Sequence, residues 1–312
     1  MNGSGPGCLG VVSDGSRVSE RQRIEWPTVA LIVLCYIGMG FALFVAPIWL
    51  AIALLGPLIA FHASLTHEVV HGHPFAIQTL NAALVFPAAT LIVPYARFRA
   101  THLAHHQDEN LTDPYDDPES NYLDPDIWGK LTPIMRAVLQ FNNRLIGRLI
   151  LGPIIGQIAW MASDLRACRD GDRAVLAGWL WHIPAVAVML SLIWVAPLPF
   201  WAYLIGVYIG LSLLRLRTYL EHRAHTNPRA RTVVIEDRGP LALLFLNNNF
   251  HVVHHMHPNV AWYDLPALYA SRKDHYLRRN DGYRFASYAQ ILRQYFWRAK
   301  DPVPHPLWPK GG

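Results

Sequence analysis

The stretch from residue 47 to residue 71 reads PIWLAIALLGPLIAFHASLTHEVVH, and it joins a long apolar run to a pair of histidines. Its first part, Pro47–Thr66, contains no Asp, Glu, Lys or Arg. That part has the length of about 20 residues needed to cross the hydrocarbon core of a bilayer. His67 and His71 follow directly and, four residues apart, would share one face of a continuing helix. The stretch therefore predicts a membrane-spanning helix that carries two metal-ligand candidates at its end.

Three further apolar stretches are long enough to span the bilayer: Thr28–Ala46, Ala174–Ala196 and Pro199–Leu214. Almost no loop separates the first of them from residue 47, and Pro197-Leu198-Pro199 joins the other two. Only 16% of the chain is charged, whereas a typical soluble domain has about 25%. The sequence thus predicts an all-α integral membrane protein with four transmembrane helices in two hairpins.

The segments outside the four spans divide into interfacial helices and tails. Leu80–Pro94 and Leu145–Met161 are shorter apolar stretches with Pro or Gly, which predicts interfacial or half-inserted helices. Residues 1–25 are rich in Gly, Ser and Arg without an apolar period, which predicts a flexible cytoplasmic tail. We expect residues 26–306 to form a single membrane domain and residues 307–312 a short C-terminal tail.

Arginines indicate the orientation in the membrane. They lie near the outer ends of both predicted hairpins: Arg21, Arg23, Arg166, Arg169, Arg173, Arg215 and Arg217. An excess of Lys and Arg marks the cytoplasmic side of a membrane protein, so the outer ends are predicted to be cytoplasmic. The net charge of +5 is not gathered in a basic run with interleaved aromatic residues, so no nucleic-acid partner is expected.

Two further histidine clusters have helical spacing: HLAHH at residues 102–106 and HVVHH at residues 251–255. Histidines at i, i+3 and i+4 share one side of a helix, so each cluster is expected to present its imidazoles in one direction. Imidazole suits iron, zinc, copper and nickel. With His67 and His71 the clusters supply eight ligand candidates, too many for one ion and enough for two. The sequence predicts a cytosolic histidine-rich cap that binds metal.

Other candidate residues adjoin these clusters. The segment YLEHRAH at residues 219–225 directly follows the last span, and His222 is the favoured ninth ligand, with His225 as the alternative. Asn247 stands four residues before His251, which predicts that the two share a helical face. Its amide oxygen could ligate a metal or hold a metal-bound water, but Asn247 could equally belong to a turn.

Acidic residues near the clusters are candidates to orient the imidazoles. Metal-bound histidines usually donate their second ring N–H to a carboxylate or carbonyl. Glu68 lies inside the first cluster, and Asp113 and Asp117 follow the second, together with Asp116 and Glu119. We expect Glu68, Asp113 and Asp117 to act in this way.

Three other protein classes share individual features of this sequence. The run at residues 67–71 is a literal HExxH, the zinc protease motif in which Glu68 would be the general base. A zinc protease needs three protein ligands, which leaves the other clustered histidines without a role. Ion transporters place ionisable ligands inside their spans, and these spans have no carboxylates. A bis-histidine haem protein needs ligands in facing spans at membrane depth, whereas these histidine clusters lie at the ends of the spans or outside them.

The combination of HxxxH, HxxHH and HxxHH with two membrane hairpins resembles the membrane fatty acid desaturase superfamily. The similarity extends from about Thr28 to Pro306, and RTYLEHRA at 217–224 and LNNNFH at 246–251 are most similar to bacterial members, including the dihydrorhizobitoxine desaturase type. The resemblance implies a non-haem di-iron site and no catalytic residues apart from the metal ligands. Carried over by position, the ligands are His67, His71, His102, His105, His106, His222, His251, His254 and His255.

The resemblance also implies an activity and partners. It indicates an oxidoreductase of the bacterial inner membrane that uses O₂ to introduce a double bond into a fatty acyl or lipid chain. A hydroxylase or ketolase on the same scaffold, or a desaturase of a small non-lipid metabolite, stays an open alternative. The sequence has no cytochrome b5 signature, clustered cysteines or nucleotide fingerprint. We therefore expect a separate electron donor of the ferredoxin, rubredoxin or cytochrome b5 type.

Overall fold

The computed structural model describes residues 24–308, so most of the predicted N-terminal tail, Arg21, Arg23 and residues 309–312 lie outside the described residues. The first ten helices of the described chain are α1 (Trp26–Phe44), α2 (Ile48–Val70), α3 (Gln78–Leu84), α4 (Tyr95–Gln107), α5 (Pro125–Lys130), α6 (Pro133–Asn142), α7 (Leu145–Ile150), α8 (Gly152–Arg169), α9 (Arg173–Val195) and α10 (Phe200–Thr218). The remaining elements are a 3₁₀ turn (Pro228–Ala230), β1 (Val234–Ile235), α11 (Pro240–Leu244), α12 (His251–Met256), α13 (Leu265–Ser271), α14 (Lys273–Arg279), β2 (Arg284–Phe285) and α15 (Tyr288–Tyr295).

Four helices are long and apolar enough to cross a membrane, and they confirm the predicted spans: α1, α2, α9 and α10. The chain is therefore an all-α integral membrane protein. Exposed tryptophans lie at the tips of the two hairpins, namely Trp49, Trp194 and Trp201. Tryptophan prefers the membrane–water interface, so these side chains mark the membrane surface opposite the histidine clusters. As expected, the helix of the second span continues past the apolar run, and α2 extends through His67 to Val70 with His71 at its C-terminal cap.

The two hairpins meet where α2 packs closely against α10. Glycines allow this approach, because a methyl group at Gly56 would lie 2.4 Å from Cγ2 of Ile209. A methyl group at Gly206 would lie 2.6 Å from Cβ of Leu55, which is also too close. Small residues let two membrane helices approach until their backbones are nearly in contact. This packing fixes the end of α2, and with it the first histidine pair, relative to the end of α10.

The two stretches that were predicted as interfacial helices behave differently. In Leu80–Pro94 the prediction was largely wrong, because helix α3 ends at Leu84 and turns follow. Pro87 and Pro94 lack the N–H that a continuing helix needs. The second stretch breaks at Leu151 into α7 and α8, and α8 continues beyond Met161 to Arg169.

Helix α8 exposes apolar side chains along one face, as a helix at a membrane surface would. Its exposed apolar side chains recur with helical spacing: Ile154, Ile158, Met161 and Leu165. About 90° around the helix from these residues, the buried carboxylate of Asp164 accepts two hydrogen bonds from Arg97 of α4, at 2.9 and 2.8 Å, and one from Trp179 of α9, at 2.8 Å. These bonds hold α8 against the helix that carries the second histidine cluster.

The chain after α10 forms a cap over the ends of the spans. β1 and β2 pair in parallel, with Val234 opposite Arg284 and Ile235 opposite Phe285. The backbone N–H of Ile235 donates to Asn249 at 2.8 Å, and the N–H of Val252 donates to Val233 at 3.0 Å. These bonds attach the start of α12 to β1. The third histidine cluster is therefore held in the core of the cap.

Candidate metal centre

Nine histidines converge from four places in the chain and form two groups. The first group, called centre 1, contains His67, His71, His102, His106 and His254. The second, called centre 2, contains His105, His222, His251 and His255. Within each group the potential ligand nitrogens all lie within 4.8 Å of one another. The structure thus brings together all nine of the ligands that the resemblance implied.

The helical spacing explains how the three clusters divide between the centres. A residue four positions along a helix is rotated by about 40°, whereas a residue three positions along lies about 60° to the other side. The i, i+4 pair of each cluster accordingly enters one centre, and the remaining histidine, His105 or His254, enters the other. The expectation that each cluster points in one direction was therefore wrong for the second and third clusters.

The spacing of ring nitrogens matches metal coordination. Five pairs of Nε2 atoms are 2.9 to 3.1 Å apart: His71–His102, His106–His254, His105–His222, His222–His251 and His251–His255. Two imidazoles at right angles on one ion, each at about 2.1 Å, have nitrogens about 3 Å apart. In addition, Nε2 of His67 is buried without a hydrogen-bond partner among the described residues. The donor set therefore fits metal ions at both centres.

Carboxylates orient two of the imidazoles from the outside. Nδ1 of His102 lies 2.8 Å from Oε1 of Glu119, and Nδ1 of His105 lies 2.7 Å from Oδ1 of Asp117. An ionised carboxylate only accepts hydrogen bonds, so each contact places the ring proton on Nδ1. The lone pair of Nε2 then faces the centre, as metal binding requires. The structure thus places Asp117, one of the three carboxylates expected to orient an imidazole, beside His105.

Two residues in contact with His251 of centre 2 were not predicted from the sequence. Nδ1 of His251 lies 3.3 Å from the side-chain oxygen of Asn248 and 3.8 Å from Oε1 of Glu221. The amide of Asn248 donates to the same Glu221 oxygen at 2.9 Å, and Arg217 lies 3.2 Å from it. The only signal in the sequence was proximity, because Glu221 precedes His222 and Asn248 stands three residues before His251.

Two acidic residues that were expected to orient imidazoles have other partners. Oε2 of Glu68 lies 3.8 Å from Nε2 of His73, because a step of one residue along α2 turns this side chain about 100° from His67. Asp113 accepts hydrogen bonds from the backbone N–H groups of Tyr115 and Asp116 at 2.8 and 3.0 Å. It closes a loop instead of contacting a ligand histidine.

The two candidates for an additional ligand are also placed elsewhere. Nε2 of His225 lies 3.4 Å from Asp281, its Nδ1 accepts from the N–H of Asn227 at 3.1 Å, and it belongs to neither centre. The structure thus brings His222, and not His225, into centre 2. Asn247 has a φ of 54° and precedes the first turn of α12, so the expected shared helical face with His251 was wrong. Its side-chain amide donates to the carbonyl of Trp262 at 3.0 Å.

Burial sets the protonation of most of the ligands. It lowers the pKa of His222, His251, His254 and His255, and positive charge that neighbouring histidines would carry lowers it further. The neutral imidazole, which is the form that binds metal, is therefore favoured. The exception is His105: burial acts to lower its pKa, but Glu119 and Asp117 raise the pKa to about 9. Burial acts to raise the pKa of Glu119, yet His105 and His102 bring it well below its usual range.

A cavity of about 700 Å³ adjoins centre 2. His222 and the carboxylates Asp117 and Glu119 contribute to one part of its wall. Apolar side chains from α8 and α10 contribute to another part: Ile155, Trp160, Leu211 and Leu214. A cavity of this size with mainly apolar walls and a few polar groups is typical of a small-molecule site.

Four membrane helices beneath two groups of converging imidazoles define an integral membrane protein with a histidine-rich site that could hold metal ions. The family model described as fatty acid desaturase matches residues 43–287, more than three quarters of the chain and all nine of these histidines. The chain therefore belongs to the fatty acid desaturase family, which makes it an oxidoreductase. No curated protein matches it.

Proposed function

We propose that this protein is an O₂-dependent, di-iron desaturase that introduces a double bond into a fatty acyl or lipid chain. The observation that carries the proposal is the division of nine histidines into two adjacent groups of five and four, each with nitrogens spaced for one ion. A zinc protease needs only one such group. It also needs Glu68 beside the metal as a base, whereas Glu68 lies beside His73.

The nine histidines would hold two iron ions, one at each centre. Bound iron would supply the O₂-derived oxidant that breaking an unactivated C–H bond requires, which no side-chain acid or base can provide. The protein's own part is to fix the ligands: Glu119 and Asp117 hold His102 and His105 in one tautomer. Five of the nine imidazoles are buried, which limits the access of bulk water to the site.

The cavity beside His222 would hold the substrate. Its apolar walls from α8 and α10 fit a hydrocarbon chain, and the exposed apolar side of α8 is suited to lie at the membrane surface from which such a chain enters. Positioning of the chain determines which hydrogen atoms are removed, because small displacements of reacting atoms change the rate of each step. The apolar walls that α8 and α10 contribute to the cavity therefore support a lipid substrate.

The active site would face the cytoplasm of a bacterial cell, in the inner membrane, and would receive electrons from a separate protein. Arginines near the ends of the spans on the histidine side, including Arg166, Arg169 and Arg173, support this orientation. A carrier of the ferredoxin, rubredoxin or cytochrome b5 type would deliver the electrons. Basic side chains around the site would attract an acidic carrier.

The direct test is mass spectrometry of total lipids from a host that expresses the wild-type chain, the His254→Ala variant or the His225→Ala variant. We expect lipids that have lost two hydrogen atoms with the wild type and with His225→Ala, and none with His254→Ala. Fragmentation of the new lipids would give the position of the double bond. Lipids that have gained an oxygen atom instead would show hydroxylation and contradict the proposal.

A further inference from the structure

Most of the cations that line the cavity are matched with an anion. Arg97 is paired with Asp164, Arg217 with Glu221, and Lys300 with Asp301. Arg148 and Arg215 also line the cavity, but neither has a carboxylate within salt-bridge distance among residues 24–308. These two guanidinium groups are therefore the cations of the described cavity wall that form no salt bridge.

Arg148 is almost completely buried, with only 7% of its surface exposed. Its Nε donates to the carbonyl of Asn142 at 3.1 Å, and a second nitrogen donates to the side-chain oxygen of Asn121. Both partners are neutral, so the charge itself stays unpaired. A buried charge without a partner is costly, which indicates that an anion completes this site.

Arg215 converges with Arg148 on helix α8. A methyl group at Gly152 would lie 3.0 Å from Cδ of Arg148 and 3.3 Å from Cγ of Arg215. A methyl group at Gly156 would lie 2.2 Å from Nη2 of Arg215. The two glycines thus leave room for the Arg215 side chain along α8. Burial, followed by the positive charge of Arg215, lowers the pKa of Arg148 to about 10, so repulsion between the two cations adds to the cost of an unfilled site.

We propose that Arg148 and Arg215 bind the anionic group of the substrate, a carboxylate or a phosphate, while its apolar chain lies along the walls that α8 and α10 provide. Planar guanidinium groups match the oxygen atoms of carboxylate and phosphate in a two-point contact. His222 borders the same cavity, so an anion held by the two arginines shares one space with centre 2. The inference rests on the proposed function only in taking the bound molecule to be the desaturase substrate.

The test measures binding and does not depend on turnover. Purified protein in neutral detergent is titrated with palmitate, hexadecyl phosphate and uncharged hexadecanol, and intrinsic tryptophan fluorescence reports the dissociation constant. We expect at least one anion to bind about tenfold more tightly than hexadecanol, as a charge-assisted hydrogen bond provides. A preference for palmitate identifies a free fatty acid as the source of the anion, and a preference for hexadecyl phosphate identifies a phosphate headgroup.

Arginine variants locate the anion site. Arg148→Met and Arg215→Met are each expected to weaken anion binding about tenfold or more, without changing hexadecanol binding. Arg293→Met, which changes an exposed arginine on α15, is the matched control and should bind like the wild type. Should a Met variant fail to fold, Arg148→Lys and Arg215→Lys retain the charge and should bind the anion more weakly than the wild type, because the two-point contact is lost.

Equal binding of anions and hexadecanol by the wild type would overturn the inference, as would unchanged anion binding in the folded arginine variants. The proposed function fails separately. If the protein binds palmitate through these arginines but forms no double bond in the lipid assay, the desaturase proposal is refuted. The anion site is still supported in that case.

Discussion

His106 and His255 stack with their ring centroids 4.2 Å apart and their planes at 17°, although the two imidazoles belong to different centres. His106 lies on α4 and His255 on α12, so this contact joins the second histidine cluster to the third. It places centre 1 and centre 2 side by side. Two ions bound there would share one buried volume, which is what chemistry that uses both metals together requires.

The distinction between His222 and His225 gives the first prediction. His222→Ala removes one of four ligand candidates of centre 2, so iron content should fall below that of the wild type and desaturation should fall more than about 100-fold. His225→Ala changes a loop histidine of the same segment and should keep both properties. Iron analysis and lipid mass spectrometry of the two variants check this. Equal effects of the two substitutions would contradict the assignment.

The second prediction concerns Asp117, whose carboxylate contacts His105 at 2.7 Å and also accepts a hydrogen bond from the N–H of Thr112 at 2.8 Å. Asp117→Asn keeps the shape but weakens the hold on His105, and we expect a loss of about 10- to 100-fold in activity or in iron affinity. Asp113→Asn is the matched control, since Asp113 only closes a loop. A chelator competition assay measures the affinity. Wild-type affinity in Asp117→Asn would show that this carboxylate does not orient a ligand.

The packing of α2 on α10 gives a third prediction. Gly206→Ala introduces a methyl group 2.6 Å from Cβ of Leu55, which forces the helices apart at a cost of about 1–3 kcal/mol. Gly40→Ala is the control, because a methyl group there meets no atom within 4 Å. Thermal unfolding in detergent should show a lower midpoint for Gly206→Ala and no decrease for Gly40→Ala. Similar midpoints for the two variants would rule out tight packing at Gly206.

Glu236 gives a prediction about acid stability of the cap. Burial acts to raise its pKa, but Lys273 and Tyr269 bring the pKa below its ordinary value, with contacts of 2.6 and 2.7 Å. A carboxyl with a lowered pKa stabilises the folded state at pH values above the unfolded pKa of about 4.3, and loses this effect as the pH falls through the folded value. The wild type should therefore lose stability below about pH 5 more steeply than Glu236→Gln. Parallel pH profiles of the unfolding midpoint would contradict this.

The sequence predicts the four spans correctly and identifies histidines that the structure brings together, because both follow from local patterns. The absence of charges between residues 47 and 66 identifies a span, and the spacing of His102 and His106 identifies a shared helix face. Several features depended on long-range packing and could not be predicted. The division of His105 and His254 between centres requires knowledge of how α4 and α12 face each other. The same holds for the pairing of Glu221 with Asn248 and for the contact of Gly206 with Leu55.

The metal content of the purified wild-type protein tests the central claim most directly. Elemental analysis, together with protein quantification, should give two irons per chain, one for each group of imidazoles, and His222→Ala should contain less. One zinc per chain without iron would contradict the account, because a single closed zinc site uses no more than four of the nine converging histidines.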